Sequence, residues 1–398
     1  MALIVVGVAG GIAAYKTPAL IRLLTEAGHR VRVAPTEAAL RFVGRATFEA
    51  LSGAPAPTSV FDGAAVVDHV SLAADADVVV VAPATADLLA RYAAGRADDL
   101  LTATLLATRA PVLVAPSMHS AMLAHPATQA NLALLRARGV RLLDSPSGRL
   151  TGRDSGPGRM ESPENIAAAV ERLLGPADLA GRRVLITAGG TREPLDPVRY
   201  LGNRSSGKQG LALAEAAARR GALVTLVVAN VSEPIPYGVE LVSVSTALEL
   251  EAAVALRAPE ADVVVMAAAV ADFRPAEAAV AKIKRDRVGS LTLELVANPD
   301  ILAGLVADRR PGQVIVGFAA ETGDEAGAAL EHAARKARRK GADLTVVNVV
   351  AGGAVFGADT NSVVLLSASA EPVGQAAGSK LDVAEAVFDA VVPRLSAC

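Results

Sequence analysis

The sequence predicts an α/β protein made of two tandem domains, each built around a parallel β-sheet. Short valine-rich runs alternate with amphipathic stretches along the chain, as they do in parallel-sheet proteins. A strand–helix–strand opening occurs twice, first from residue 2 and again from residue 183. The chain has 398 residues, which is enough for two to three domains.

Both openings begin with an apolar strand, continue into a helix that ends at a glycine, and return to a second strand. The first consists of Ala2–Val8, a glycine turn, Ala13–Ala27, Gly28 and Arg30–Ala34. The second consists of Arg183–Thr187, a long loop, Gly207–Arg220, Gly221 and Leu223–Val228. Proline, glycine and a loss of periodicity coincide at Leu174–Gly181, so we expect domains at residues 1–176 and 180–398.

The remaining elements follow from the same alternation. In the first domain we expect strands at Val78–Ala82, Val112–Ala115 and Arg141–Leu143, a helix at Asp98–Ala107, and a glycine-rich mobile flap at Ser145–Met160. In the second we expect strands at Val239–Val244, Val263–Ala268, Val314–Phe318, Leu344–Val347 and Val363–Leu366, and helices at Ala247–Arg257, Asn298–Ala307, Asp324–Lys340 and Lys380–Leu395.

Composition narrows the class of protein. Hydrophobic residues make up 52% and aromatic residues only 3%, so the cores must consist of Ala, Val and Leu. A net charge of −2 argues against a general nucleic-acid binder. Cys398 is the only cysteine, which fits the reducing cytoplasm. The apolar start lacks a basic region before it, and no apolar run reaches the ~18–20 residues of a membrane span.

The segment Val184–Gly210 contains the longest polar connection between a strand and a helix. Connections of this type usually have about 2–6 residues, and longer ones at the carboxyl end of a strand commonly hold ligands. Gly202 and Gly207–Lys208 match the P-loop, but Gln209 stands where a Ser or Thr holds magnesium. Because the GxGxxG pattern is also absent, neither a P-loop ATPase nor a standard dinucleotide-binding fold is well supported.

Three loops of the first domain follow neighbouring strands. They contain Gly10–Gly11, Thr36 and the segment Ala82–Asp87, and such convergence is typical of a mononucleotide site. The alternative is that these residues are ordinary helix caps and turns. His69 borders the same loops, where a histidine can act as a general base, although a lone histidine is more often a surface or core residue.

In the second domain, polar residues again follow the strands. Asp272 ends a valine-rich strand, and Lys282–Arg285 lies ten residues further on. Asn298, Pro299 and Asp300 have the pattern of an N-cap, a first-turn proline and a first-turn acid. The helix end at Arg335–Lys340 adds cations. Lysines from separate segments together with an acidic residue suit the binding of a triphosphate and its metal ion. The alternative is that the cations at the helix end simply form a charged face exposed to solvent.

The motifs together resemble the bifunctional phosphopantothenoylcysteine decarboxylase / phosphopantothenate–cysteine ligases of coenzyme A biosynthesis, nearly from end to end. The segments GGIAAYK, DHVSLAADAD, APATAD, GRADDLL, PSMHSAM and GPGRM resemble the flavin-dependent decarboxylase half. The segments ITAGGTREPLDPVRYLGNRSSGKQG, AAAVADFRP, KIK, NPDI, GFAAET and FGADTNSV resemble the ligase half, and this second set is highly specific.

The resemblance implies two three-layer domains, a flavodoxin-like FMN domain followed by a Rossmann-like CTP-binding ligase domain. It places FMN at Gly10, Gly11, Ile12, Thr36, Ala84, Thr85 and Met118, with His69 as the catalytic histidine. It places CTP, with Mg²⁺, at Ala268, Asp272, Lys282, Asn298, Pro299, Asp300, Ile301, Phe318, Lys336 and Lys340. Lys282 is then the residue that neutralises the phosphates, and Asn203 handles the acyl-cytidylate.

The implied activity joins 4′-phosphopantothenate to cysteine with CTP, and then decarboxylates the product to 4′-phosphopantetheine. The implied partners are these small molecules, without nucleic acid or membrane. The implied assembly is a homo-oligomer that combines trimers of the flavin domain with dimers of the ligase domain, which a dodecamer satisfies. The sequence does not identify the metal ligands.

Two segments depart from the family pattern. His119 stands where PxMNxxMW has an Asn that orients the substrate carboxylate, and Leu123 replaces the Trp. Thr151 stands at the flap cysteine that donates a proton in the last reduction, and a hydroxyl is a far weaker acid than a thiol. We expect His119 or a water molecule to supply that proton. Full turnover by His119→Ala would contradict the His119 version.

Three rival functions remain at this point. One is a ligase whose flavin domain has lost decarboxylation, because Thr151 replaces the cysteine. Another is a flavin-binding regulatory protein without catalysis, which the intact Asp272 and Lys282 set argues against. The third is a nicotinamide-dependent reductase, which the missing GxGxxG argues against.

Overall fold

The computed structural model describes residues 1–59, 68–149, 154–284, 291–321, 329–349 and 358–395. The chain divides into two compact units, Met1–Gly175 and Pro176–Cys398. Within the described residues, no helix is long and apolar enough to cross a membrane.

The first unit is built on a five-stranded parallel sheet with the order β2-β1-β3-β4-β5. This is the flavodoxin-like order, which changes direction between β1 and β3 and leaves a crevice at the carboxyl ends of those strands. The strands are β1 (Leu3–Val8), β2 (Arg30–Pro35), β3 (Val78–Ala84), β4 (Val112–Pro116) and β5 (Arg141–Leu142). β1 and β3 are buried along their whole length, which explains their continuous apolar sequence.

Helices cover this sheet and a short hairpin follows it. The helices are α1 (Thr17–Glu26), α2 (Arg45–Ser52), α3 (Asp68–Asp75), α4 (Ala86–Ala93), α5 (Leu100–Ala107), α6 (Ser120–Ala124), α7 (Pro126–Ala137) and α8 (Pro163–Leu174), with short 3₁₀ helices at Ile12–Lys16 and Ala39–Arg41. The hairpin strands β6 (Ser147–Arg149) and β7 (Ser155–Pro157) are antiparallel. They lie in the predicted flap, of which residues 150–153 are outside the described residues.

The prediction of a single helix at Ala13–Ala27 is wrong in one respect. A 3₁₀ helix occupies Ile12–Lys16, and a separate α-helix begins at Thr17. Pro18 lies in the first turn of α1, where its missing N–H costs no hydrogen bond. The proline therefore favours a helix start at this point.

The second unit has an eight-stranded sheet with the order β12-β11-β8-β13-β16-β17-β18-β19. The first six strands are parallel in the Rossmann order, and β18 and β19 are antiparallel additions. The strands are β8 (Arg183–Gly189), β11 (Leu223–Ala229), β12 (Glu240–Val244), β13 (Val263–Met266), β16 (Val314–Glu321), β17 (Leu344–Val349), β18 (Thr360–Ser367) and β19 (Pro372–Ser379). Both units have the α/β parallel-sheet architecture that the sequence predicted.

The long loop after β8 is not irregular throughout. It contains the antiparallel pair β9 (Arg192–Pro194) and β10 (Tyr200–Gly202), which we call the arm. A second antiparallel pair joins β14 (Phe273–Pro275) to β15 (Leu295–Ala297). The helices of this unit are α9 (Lys208–Arg219), α10 (Ala247–Arg257), α11 (Ile301–Ala307), α12 (Ala329–Lys340) and α13 (Lys380–Leu395), with a 3₁₀ helix at Ala258–Glu260. The first residues of the helix predicted from Asp324 lie outside the described residues.

The helix predicted from Asn298 begins later than expected. Asp300 is the N-cap, because its Oδ1 accepts a hydrogen bond from the N–H of Ala303. The Asn298 side chain is engaged elsewhere, since its Nδ2 donates to the Ala271 carbonyl and its Oδ1 accepts from Arg274. The assignment of Asn298 as N-cap and Pro299 as the first helical residue is therefore wrong.

Phe388→Ala tests how far α13 supports the second sheet. Phe388 is fully buried among Val387, Val391 and the sheet residues of the main core. We expect the change to lower the free energy of unfolding by about 3–5 kcal/mol, because it leaves a cavity in a packed core. Calorimetric unfolding of the full chain measures this loss.

The matched control is Leu256→Ala on α10, whose side chain is 74% exposed. Its effect should stay within about 0.5 kcal/mol. A Phe388→Ala protein that unfolds like the control would contradict the packing described for α13.

Candidate functional sites

A cavity of about 900 Å³ opens at the carboxyl ends of β1, β3 and β4 in the first unit. Six of the seven residues predicted for FMN line it, namely Gly10, Gly11, Ile12, Thr36, Thr85 and Met118. The seventh, Ala84, is fully buried at the end of β3, and its carbonyl accepts a hydrogen bond from the N–H of Ser117. The cavity therefore lies at the crevice that a strand-order reversal leaves, and it brings together the three loops predicted to converge.

Two glycines let the backbone come close to the cavity. A Cβ on Gly10 would lie 2.3 Å from the Cβ of Ala38, and one on Gly11 would lie 3.1 Å from the Cγ2 of Thr85. The hydroxyls of Thr36 and Thr85 accept hydrogen bonds from the N–H groups of Ala39 and Leu88. Thr85 is also the N-cap of α4, as the alternative interpretation of this residue predicted, and it lines the cavity as well.

The residues present fit a flavin mononucleotide. Glycine backbone and threonine hydroxyls suit the phosphate, and Ile12, Ala13, Met118, Met122 and Met160 give the cavity an apolar part for a planar ring. A larger residue at Gly10 would overlap Ala38, which also borders this cavity.

A charged cluster at the cavity was not predicted from the sequence. Arg91 pairs with Asp87 at 3.0 Å, Asp98 at 2.9 Å and Asp99 at 2.7 Å, and Arg91, Asp87 and Asp99 line the cavity. Burial alone would lower the pKa of Arg91, but its hydrogen bonds to Asp99 and Asp98 raise it overall. The two adjacent acids of GRADDLL were the available signal.

His119 also lines this cavity, next to the β6–β7 hairpin. Its Nδ1 accepts a hydrogen bond of 3.2 Å from the N–H of Ala121, so the side chain caps α6. Its Nε2 lies 3.3 Å from Oδ2 of Asp154. Of the other predicted catalytic residues, His69 falls in α3 with a side chain outside the described set, and Thr151 lies outside the described residues.

The second candidate site lies at the carboxyl ends of β8 and β13. Gly190 and Ala269 form a bridge there, and Oγ1 of Thr191 accepts a hydrogen bond from the N–H of Ala271. Nδ2 of Asn203 donates to the carbonyl of Val270 at 2.9 Å. The arm is thus fastened to the segment that follows β13, which brings Asn203 to the residues predicted for CTP.

Asp272, Asn298 and Ala268 also lie at this edge, whereas Lys340 is the last residue of α12, which leads into β17 from the opposite, amino end of the sheet. The N–H of Asn298 donates to the Asp272 carbonyl, and the N–H of Ala268 donates to Oγ1 of Thr187. Asp300 forms an ion pair with Lys340. Burial raises the pKa of Asp300, but its hydrogen bonds to Lys340 and the Ala303 N–H lower it overall.

The other predicted CTP residues lie on neighbouring elements. Phe318 is half-buried on β16, Lys336 is half-buried on α12, and Asp272 is exposed just before β14. Pro299 and Ile301 flank the cap of α11, with Ile301 buried against the core below.

The segment with Lys282 is anchored to the arm through Asp196. Asp196 is buried, and its Oδ2 accepts a hydrogen bond of 3.1 Å from the N–H of Ile283. Its Oδ1 accepts from the N–H groups of Val198 and Arg199, both at 2.8 Å. Burial raises the pKa of Asp196, but the hydrogen bonds from these backbone N–H groups outweigh burial. The pKa of Asp196 is therefore lower than that of an ordinary aspartate. The exposed Lys282 side chain therefore starts from a fixed backbone.

Lys208 and Gln209, the last residues compared with the P-loop, both bond to side chains or backbone elsewhere in the second unit. Nζ of Lys208 pairs with Asp359 at 2.7 Å, and this hydrogen bond raises the pKa of Lys208. Gln209 accepts from Asn361 and donates to the carbonyl of Lys380. At the start of α9, Lys208 is thus tied to the residue before β18, and Gln209 is tied to β18 and to the first residue of α13. Among the described residues, no cluster of three or more His, Cys, Asp or Glu side chains forms a metal site.

Gly10→Ala tests whether the loop after β1 takes part in FMN binding. The new methyl group would overlap Ala38, at a cost of about 1–3 kcal/mol. The loop that contains Gly10 must therefore move to relieve the overlap. We expect the affinity for FMN to fall about 5- to 100-fold. Flavin fluorescence titration of the flavin-stripped protein measures it.

Gly44→Ala is the matched control, because nothing lies within 4 Å of its added Cβ and its φ is −63°. This control should bind FMN like the unchanged protein. Equal affinities for the Gly10→Ala and Gly44→Ala proteins would show that FMN does not use the Gly10 loop.

Two family models match separate parts of the chain. A flavoprotein family model matches residues 2–175, and a model described as the DNA/pantothenate metabolism flavoprotein C-terminal domain matches residues 179–395. A solved structure, the C-terminal domain of a coenzyme A biosynthesis bifunctional protein CoaBC, is 34% identical, covers 56% of this chain and all of that one, and has a TM-score of 0.46.

Curated relatives match nearly the whole chain. The coenzyme A biosynthesis bifunctional protein CoaBC of Mycobacterium tuberculosis is 57% identical over 99% of this chain and 97% of its own length. The protein of the same name in Escherichia coli is 49% identical over 87% of this chain and 86% of its own length. The chain therefore belongs to the family of bifunctional coenzyme A biosynthesis proteins.

Proposed function

We propose that this chain makes 4′-phosphopantetheine in two steps, a CTP-dependent ligation of cysteine to 4′-phosphopantothenate and an FMN-dependent decarboxylation of the product. The observation that carries the proposal is the near full-length similarity to CoaBC proteins, in which separate family models match the two units. We assign decarboxylation to residues 1–176 and ligation to residues 180–398.

The ligation needs an activated carboxylate. The carboxylate oxygen of 4′-phosphopantothenate attacks the α-phosphorus of CTP, which forms an acyl-cytidylate and releases pyrophosphate. The amine of cysteine then attacks the acyl carbon, an amide bond forms, and CMP leaves. Lys282 neutralises charge on the phosphates during the first transfer, and its anchored backbone supports that role. Asn203, fastened to Val270, holds the intermediate for the second.

The decarboxylation needs an electron sink. The cysteinyl thiol becomes this sink once it is oxidised to a thioaldehyde, whose C=S group stabilises the carbanion left by carbon dioxide, and bound FMN would supply the reversible hydride acceptor for that oxidation. Gly10, Gly11, Thr36 and Thr85 would hold its phosphate, and Met118 belongs to the apolar part of the cavity that would take its ring. His69 removes a proton during the oxidative step.

The remaining features belong to the same proposal. Mg²⁺ enters with CTP, held mainly by the phosphates, as Mg²⁺ commonly is in nucleotide sites. Asp272, exposed on the loop after β13, is a candidate carboxylate for it. The protein works in the cytoplasm as a homo-oligomer, for which a dodecamer fits trimers of one domain and dimers of the other.

A second candidate function rests on one observation. Thr151 stands at the position of the family's proton-donating cysteine, so a ligase with a flavin-binding but decarboxylation-impaired first domain is the alternative.

One experiment tests the proposal and its alternative together. The purified protein should show a bound-flavin absorption spectrum, release CMP from CTP only when 4′-phosphopantothenate and cysteine are both present, and release carbon dioxide from 4′-phosphopantothenoylcysteine. CMP release with a yellow protein but no carbon dioxide would favour the impaired alternative. Absence of CTP-dependent CMP release would overturn the ligase assignment.

Lys282→Gln and Asn203→Asp separate the two chemical steps of the ligase. Lys282→Gln should abolish formation of the acyl-cytidylate, because no cation then neutralises the phosphates. Asn203→Asp should let the intermediate form but slow its conversion. Rapid-quench analysis with labelled CTP measures both.

Lys284→Gln is the matched control for the lysine, because it is an exposed neighbour on the same segment. It should leave the rate of intermediate formation nearly unchanged. Unimpaired CMP release by Lys282→Gln would refute the role given to Lys282.

A further inference from the structure

The turn between the two strands of the arm, residues 195–199, has a buried carboxylate at its centre. Oδ1 of Asp196 accepts hydrogen bonds from the N–H groups of Val198 and Arg199, which closes the turn on itself. The side chain of Asp196 is 0% exposed, so water does not compete for its oxygens. The turn, which we call the tip of the arm, is therefore a fixed support that still has Oδ2 of Asp196 to offer to another segment.

The tip holds both backbone polar groups of Ile283, the residue that follows Lys282. Oδ2 of Asp196 accepts from the Ile283 N–H at 3.1 Å, and Nη2 of Arg199 donates to the Ile283 carbonyl at 3.0 Å. Nη1 of Arg199 lies 3.8 Å from Oδ2 of Asp196, so the same carboxylate also attracts the guanidinium. Both bonds to Ile283 therefore depend on Asp196.

The segment is also fixed on the other side of Lys282. The N–H of Ala279 donates to the carbonyl of Leu195 at 2.9 Å, so the tip holds residues before and after the lysine. A lysine side chain has many rotamers, and the region that its ammonium group samples depends on where its backbone is held. With both flanks held, the exposed Lys282 side chain starts from one place and its ammonium group samples a smaller region.

We propose that Asp196 is a positioning residue for Lys282, and that it sets the rate of acyl-cytidylate formation without taking part in the attack by cysteine. The proposal rests on the proposed ligase function. Because its carboxylate is enclosed, Asp196 cannot touch a ligand and acts through the backbone of Ile283. A displacement of about 1 Å in a charge-stabilising group can cost about 10²-fold in rate. The second step instead uses Asn203, which a separate hydrogen bond fastens to Val270.

Asp196→Asn removes the contact with Ile283 and keeps the tip closed. An amide has one oxygen that accepts and one NH₂ group that can only donate. The oxygen is favoured at the place of Oδ1, where it accepts two N–H groups, so the NH₂ group faces the Ile283 N–H and forms no bond. The lost charge also weakens the hold on Arg199. Asp196→Asn should therefore loosen the segment with Lys282 in an otherwise folded arm.

Hydrogen exchange of the full chain measures this loosening. In Asp196→Asn, the backbone amides of residues 279–284 should exchange about 10- to 100-fold faster, because a hydrogen bond to a charged acceptor is lost. The amides of β10 should exchange as they do in the unchanged protein, since the β9–β10 pairing is intact. Equal exchange of residues 279–284 in the two proteins would overturn the anchoring role of Asp196.

Rapid-quench analysis separates the two chemical steps. With labelled CTP and 4′-phosphopantothenate, Asp196→Asn should form the acyl-cytidylate about 10- to 100-fold more slowly than the unchanged protein. With the acyl-cytidylate that the Asn203→Asp protein accumulates, its cysteine-dependent release of CMP should proceed at the unchanged rate. Val198→Ala is the matched control, because it keeps its N–H and its side chain is 61% exposed. Both steps should be unaffected in this control.

The split between the steps distinguishes positioning from damage to the arm. Asn203 directly follows β10, so a misfolded arm would slow both steps. Ile283→Pro removes the same hydrogen bond from an irregular segment instead of the buried tip, and it should show the same split. Equal slowing of both steps, or an unchanged rate of acyl-cytidylate formation, would overturn the proposal. Failure of the ligase assignment itself would appear differently, as absence of acyl-cytidylate with the unchanged protein.

Discussion

Both units depend on the point where the order of a parallel sheet reverses. In the first unit, β1 pairs with β2 on one side and β3 on the other, and in the second unit β8 pairs with β11 and β13. Helices that leave adjacent strands in opposite directions cannot close over that edge, so a crevice stays open there. The two candidate sites lie at these reversals, and the remaining structure fixes the loops that border them.

Side chains that bond to backbone groups hold those loops in place. Asp196 accepts three N–H groups of two separate segments, and Asn203 and Asn298 each donate to a carbonyl of the segment after β13. Irregular backbone near a sheet edge has polar groups that regular structure does not satisfy, so each such bond removes a desolvation cost. Long connections can therefore have defined positions without regular secondary structure.

The sequence predicted the sheets better than the ends of the helices and the partners of the polar residues. Buried valine runs identify β3 and β13 because burial on both faces leaves few other interpretations. Asn298 has the composition of a cap, but a tertiary partner, the Ala271 carbonyl, takes its amide. The Arg91 cluster and the His119–Asp154 pair depend on distances between separate segments, which spacing along the chain does not contain. Six FMN positions came from the family resemblance, and the cavity gathers them.

The ties of Lys208 and Gln209 also bear on how the second unit assembles. Lys208 lies 151 residues before Asp359, and Gln209 lies 152 residues before Asn361. Contacts of such long sequence separation form late, since the chain between them must first lose its conformational freedom. On the ribosome, the start of α9 stays without these partners until β18 has been synthesised, so the strand-end crevice beside it is completed only after β18 has emerged.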